Sequence, residues 1–262
     1  MLDMTGLLRI LIFFSVFLIM AFWEIALPRR PLRIDKKIRW IHNLGITFLN
    51  GFVVRITAPL GAVTFAVWAA STNTGFFNSY QFNPIAEFIL SILLLDLILF
   101  TQHYMFHHIK LLGKLHQMHH LDLDLDVTSG TRFHPVEMLI SLGLKGIVII
   151  TAGCSPLSTL VFEIILNATA MFNHGNVYLP EKADLIIRKF IVTPDMHRVH
   201  HSVIERERNS NYGFALSIWD RIFGTYVKAP KAGQKGMTIG LPDFQDISGF
   251  LALLIFPFRR RK

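Results

Sequence analysis

Ten of the chain's twelve histidines stand at spacings that can do chemistry. His103 and His107 form HxxxH, His116, His119 and His120 form HxxHH, and His197, His200 and His201 form a second HxxHH. His134 and His174 stand singly between the second and third clusters. On a helix, residues i, i+3 and i+4 share one face with Cβ atoms about 5–6 Å apart, so each cluster can aim two or three imidazoles at one point. Imidazole suits Fe, Zn, Cu and Ni, whereas Mg and Ca prefer oxygen. One transition metal offers only about four to six ligand positions, too few for all the clustered histidines, and two ions account for them. The other two, His42 and His108, read as surface or hydrogen-bonded residues; on a helix His108 points about 100° away from His107.

Other metal chemistries fit less well. A zinc protease of the HExxH type needs Glu directly after its first His, and Gln117 and Arg198 occupy those places. A membrane cytochrome needs only four axial histidines and leaves the rest idle. The run Asp122-Leu-Asp-Leu-Asp126 suggests a calcium loop, but Val127 stands where glycine is required and Phe133 where a bidentate Glu should be. It reads instead as a solvated connector whose leucines touch the membrane surface. Cys154 is the single cysteine, which excludes an intramolecular disulfide and thiolate-rich metal sites.

The elements that must position the histidines are apolar. Hydrophobic residues make up 52% of the sequence and mean hydropathy is +0.44, the signature of a membrane protein rather than a soluble domain. Leu7 to Leu27 is long enough to cross a hydrocarbon core about 30 Å thick. It leads into Pro28-Arg29-Arg30-Pro31 rather than a small-residue cleavage site, so it reads as a retained anchor. Ile41 to Ala70 is long enough for one tilted or broken helix. Pro84 to Phe106 forms a third span that ends inside the first histidine cluster. Met138–Thr151 and Pro156–Phe172 read as a tight helical hairpin. Four to five spans are expected, in an all-α integral membrane bundle capped by the histidines.

Net charge is +8, but the basic residues flank membrane segments, which argues against nucleic acid as the partner. Arg29, Arg30, Arg33, Lys36, Lys37 and Arg39 lie between the first two spans against one acidic residue, Asp35, which places that loop in the cytoplasm by the positive-inside rule. Alternation of the spans then brings every histidine cluster to the same cytoplasmic side. Phe250 to Phe258, followed by Arg259 to Lys262, reads as an interfacial helix with a basic end. A non-catalytic metal transporter would place its ligands near the bilayer midplane, unlike these.

In these motifs, His103-Tyr-Met-Phe-His107, His116-Gln-Met-His119-His120 and His197-Arg-Val-His200-His201, the chain resembles the fatty acid hydroxylase and sterol desaturase family of membrane oxygenases. The likeness extends to Arg132-Phe-His134-Pro-Val-Glu137, Phe172-Asn-His174-Gly-Asn176, Thr193-Pro-Asp, Asn211-Tyr-Gly213 and Trp219-Asp-Arg-Ile-Phe-Gly-Thr225, all within residues 84–228. The resemblance implies a non-haem centre of two Fe ions, replaceable by Zn in a purified sample, that uses O2 to hydroxylate or desaturate a lipid C–H bond. It implies the eight clustered histidines as the catalytic set, with His134 and His174 as further metal ligands. It divides the chain into N-terminal spans and a basic loop (1–83), a catalytic domain (84–228) and an interfacial tail (229–262). No fused cytochrome b5 domain or Gly-rich nucleotide fingerprint is evident, so a separate electron donor of cytochrome b5, ferredoxin or reductase type is expected.

Three polar residues could orient the ligands. Asp96 lies two helical turns before His103 on the same face, and a carboxylate inside a span is costly unless paired or functional. Its alternative is a buried pair with Arg55. Asn173 and Asp195 adjoin His174 and the last cluster. Asp195, Arg198, Glu205 and Arg208 are expected to form that cluster's solvated face.

Overall fold

The computed structural model describes residues 4–57, 61–244 and 249–259. Helix α1 spans Met4–Ala26 and stops ahead of Pro28. Its Leu11, Leu18, Ile19 and Phe22 remain more than half exposed, as befits a surface that meets lipid rather than protein. Asp35 accepts hydrogen bonds from the Lys37 and Ile38 N–H groups and starts α2, Lys36–Thr57. On the other side of residues 58–60, α3 covers Gly61–Ser71.

The remaining long helices begin alike, with a capping side chain followed by proline at the first helical position. Asn83 caps α4 (Pro84–His108), His134 caps α6 (Pro135–Ala152) and Ser155 caps α7 (Pro156–His174). Between α4 and α6 lies α5, Lys110–His120, joined to α4 through Ile109 alone. That residue is extended (φ −95°, ψ 110°), and this one-residue elbow folds α5 back so that the HxxxH of α4 faces the first HxxHH. A short helix α8, Pro194–His200, carries the second HxxHH and is capped by Thr193.

The α6–α7 hairpin turns at Gly153, which is left-handed (φ 75°) and packs on Gly75. Here glycine is required: a Cβ on Gly75 would lie 2.3 Å from the Gly153 backbone nitrogen. The apolar core gathers Ala66, Leu95, Leu99, Ile149 and Phe162 from α3, α4, α6 and α7. Four helical stretches, Gly6–Ala26, Lys36–Ser79, Pro84–His108 and Pro135–Ala152, are long and apolar enough to cross a membrane. Among the described residues there are only isolated β-bridges, such as Ile191 with Leu216, and no strand.

At the histidine end the chain forms a polar layer that differs from expectation in two places. Asp122, Asp124 and Asp126 are buried, as are Leu121, Leu123 and Leu125. Arg39 of α2 enters this loop and donates to Asp122 and Asp126, while Asp124 accepts from the Arg33 and Ile34 N–H groups. The alternating segment is therefore an internal ion-pair knot rather than a solvated connector, because burying a guanidinium demands compensating carboxylates. Arg198 likewise is 1% exposed, paired with Asp195, which also binds Arg29 at 2.7 Å. The C-terminal helix α9, Phe250–Ile255, buries Leu253 against Ile46, Met118 and Leu121 while Leu251 and Phe258 face outward. Residues 260–262 of its basic end lie outside the described residues.

Candidate metal centre

The helix ends bring nine of the ten patterned histidines together, and they divide into two groups. His103, His107, His116, His120 and His200 form one, and His119, His174, His197 and His201 form the other. Within each group one nitrogen from every ring lies within 4.8 Å of the others. The groups adjoin, with ring centroids 4.6 Å apart between His120 and His201 and 5.1 Å between His197 and His200. The adjacent members of each HxxHH therefore point into different groups, as the ~100° step between consecutive helical residues dictates.

Hydrogen bonds fix which nitrogen faces inward. His103 Nδ1 donates to the Tyr212 carbonyl at 2.8 Å, His116 Nδ1 to Glu137 Oε1 at 2.7 Å, and His200 Nδ1 to the Ser210 carbonyl at 2.7 Å. In the second group His119 Nδ1 donates to the Arg132 carbonyl at 3.2 Å and His174 Nδ1 to the Ala170 carbonyl at 2.8 Å. Carbonyl and carboxylate oxygens only accept, so the proton of each neutral ring sits on Nδ1 and the Nε2 lone pair is free. Yet Nε2 of His103 lies 3.1 Å from Nε2 of His116, and Nε2 of His119 lies 3.1 Å from that of His174. Two lone pairs at that distance with no proton between them repel. A cation that both can bind removes the conflict, and neighbouring ligands about 2.1 Å from one ion lie roughly 3.0–3.4 Å apart. Each group contains one such pair, so each fits a transition metal on the chemistry of its own donors.

Burial keeps the imidazoles neutral. His119, His120, His197, His200 and His201 are held well below the usual histidine range, first by desolvation and then by one another's proximity. Neutral imidazole is the form that ligates.

The supporting residues are mostly ones that spacing could not reveal. Glu137, in the first turn of α6, holds His116, and Asn209 Oδ1 accepts from His107 at 3.2 Å. Asp220 accepts from the Tyr212 and Gly213 N–H groups at 2.7 and 2.9 Å and from the Thr225 hydroxyl, fixing the loop whose carbonyl orients His103. Asp96 serves the same loop. It accepts from the Ala215 and Leu216 N–H groups and from Trp219 Nε1, touching neither a histidine nor Arg55. Asn173 donates to the Phe214 carbonyl and so sets Phe214 against His103, with ring centroids 5.1 Å apart. Asp195 binds Arg29 and Arg198; these partners hold its carboxyl below the usual range despite burial, which acts the other way.

His134 is the exception among the ten. Its Nδ1 accepts from the Val136 N–H at 3.2 Å as the cap of α6, and its ring packs on Phe258. The preceding-proline position that makes it a cap turns it away from both groups. His-Pro at a helix start was the signal in the sequence.

One hollow touches the histidines, and a second lies behind the Phe133, Glu137 and Phe214 side chains that contact them. A polar cleft of about 200 Å³ touches His107, His116 and His120 and is rimmed by Glu205, Arg208, Asn209 and Asp243. A larger, mostly apolar cavity of about 330 Å³ includes Leu99, Phe133, Glu137, Ala170 and Phe214 in its wall.

Two adjoining, buried, all-nitrogen groups at one end of a helical bundle define a class of site suited to transition-metal ions beside an apolar chamber. The chain belongs to the fatty acid hydroxylase family, whose family model matches residues 88–225, just over half its length. It is 28% identical over 267 residues to the ornithine lipid hydroxylase OlsE of Rhizobium tropici, covering 99% of this chain and 78% of that one. It is 29% identical to alkylglycerol monooxygenase of Xenopus tropicalis over 55% of this chain and 31% of that one. With human cholesterol 25-hydroxylase it shares 26% identity over 52% of this chain and 50% of the other. No solved structure matches the chain at comparable significance.

Proposed function

We propose that the protein is a membrane lipid hydroxylase in which the two histidine groups each hold iron. The observation that carries this reading is the pair of opposed Nε2 lone pairs, one in each group, beside an apolar cavity. Iron bound at these groups supplies the activation of O2 that attack on an unactivated C–H bond requires.

The chain's own residues do the rest. Glu137 and the carbonyls of Tyr212, Ser210, Arg132 and Ala170 lock the rings with Nε2 inward, so little reorganisation is needed at the metal. Phe133 stacks on His119 with centroids 4.5 Å apart and Phe214 leans on His103, forming a dry wall between cavity and ligands. A lipid tail reaches this wall through the apolar cavity. The polar cleft on His107, His116 and His120 provides a separate approach for water and for electrons from a distinct donor protein. The basic residues of 29–39 favour a cytoplasmic position for this end of the molecule.

The relatives are named for action on ornithine lipid, alkylglycerol and cholesterol, which supports a lipid as substrate here. Turnover of membrane lipid by the iron-loaded protein under heavy-isotope O2, with an artificial reductant, tests the reading. The expected product is a hydroxylated lipid carrying the heavy atom, because the inserted oxygen comes from O2. Label acquired from water, or turnover under strict anaerobiosis, would overturn it.

A further inference from the structure

The apolar cavity does not end in apolar residues. A second hollow of about 380 Å³ continues from it, and the two share Val54, Met138, Lys145, Leu166 and Asn167 in their walls. This further hollow is also lined by Arg9, Arg55 and Glu163. Three cations thus face one carboxylate.

Glu163 accepts from Lys145 Nζ at 2.9 Å and from Arg9, so a single negative charge serves two positive ones. Arg55, at the end of α2, has no acidic partner among the described residues. Lys145 lies 11 residues after His134 (145 − 134) and Glu163 lies 11 before His174 (174 − 163), which puts them roughly 16 Å below the histidine level at the rise of an α-helix. At that depth excess positive charge is unfavourable without a counter-charge. Lys145 and Glu163 are each at least nine-tenths buried.

We propose that Lys145, Arg9 and Arg55 form the headgroup end of the substrate chamber and bind an anionic group, carboxylate or phosphate, of a lipid whose apolar body runs toward the histidines. This deepens the lipid hydroxylase reading and rests on it. The anion supplies the missing counter-charge, and the length of chain between the two ends selects which carbon lies beside the Phe133–Phe214 wall.

Equilibrium binding of palmitate, hexadecyl phosphate and hexadecanol to the metal-loaded protein in nanodiscs tests the proposal without relying on turnover. The anionic probes are expected to bind about tenfold more tightly than the alcohol, the equivalent of one charge-assisted hydrogen bond. Arg55→Gln and Lys145→Gln should erase the difference, and Lys145→Arg should restore it. Glu163→Gln should raise anion affinity, since it removes the competing carboxylate, and leave hexadecanol unchanged; a merely structural triad would weaken all three probes alike. Preference for palmitate alone or phosphate alone identifies the anion and supports the proposal. Equal binding of alcohol and anions by the wild-type protein, or an undiminished anion preference in the exposed Arg55→Gln variant, would overturn it. Failure of oxygen labelling with the anion preference intact would count against the hydroxylase reading and not against this site.

Discussion

At the scale of single residues the site is decided by which ring nitrogen carries the proton. Removing the acceptor that holds His116 in place, by Glu137→Leu, should lower metal affinity about 10- to 100-fold, as loss of a ligand's hydrogen-bond partner typically does; competition with a chelator measures it. His116→Ala and His119→Ala each delete a member of an opposed Nε2 pair and should abolish activity and metal retention in their group. His134→Ala removes only a helix cap and should cost about 1 kcal/mol of stability while metal content stays unchanged, read by metal analysis beside thermal unfolding. The direction of pH dependence follows from burial. The buried imidazoles titrate below the unfolded value of about 6.5, so between the two values the unfolded chain binds more protons and stability rises with pH. The metal-free protein should therefore keep its full stability above about pH 6.5 and lose it progressively on acidification, as its melting temperature across pH would report. A melting temperature that rises on acidification would contradict the buried, neutral state of these rings.

Elements decide whether the clusters meet. The HxxxH and both HxxHH clusters were legible in the sequence because their spacing is local to single helices. The elbow at Ile109 was not, for the residue is neither Gly nor Pro and its extended backbone is set by tertiary packing. Glu137 went unread as a ring holder because His116 is 21 residues away, and the Asp122–Asp126 knot because its arginine is 83 to 87 residues away. His134 caps α6 and stands outside both groups, and the local signal for that cap, a residue directly before proline, was in the sequence. One close approach makes an element-level prediction. A Cβ on Gly130 would lie 2.5 Å from the Ala170 carbonyl oxygen, the acceptor that orients His174, so backbone would have to shift. Gly130→Ala should loosen the second histidine group selectively, lowering its metal occupancy while the first group keeps its own; equal retention in both groups would show that the turn does not position α7.

For the whole molecule, the issue is how one end of a membrane bundle meets both lipid and an aqueous donor. The basic loop that argues for a cytoplasmic histidine end is partly consumed by the fold, since Arg29 pairs with Asp195 and Arg39 with Asp122 and Asp126. Sidedness therefore rests on fewer solvated charges than the sequence displays, and direct labelling is the appropriate test. Cys154 is buried and should stay silent, which leaves introduced cysteines as the reporters. In intact cells Ser79→Cys should react with an impermeant reagent, while Lys37→Cys and Arg206→Cys should react only after the membrane is opened; Arg206→Cys labelled from outside would reverse the orientation. On the proposed reading, the two adjoining groups hold one iron each. Mössbauer spectroscopy with iron quantification on the purified, iron-reconstituted protein tests it most directly. Two irons per chain in an all-nitrogen environment are predicted, with His116→Ala and His119→Ala each perturbing a different one. A fully active protein holding a single iron, or haem, would contradict it.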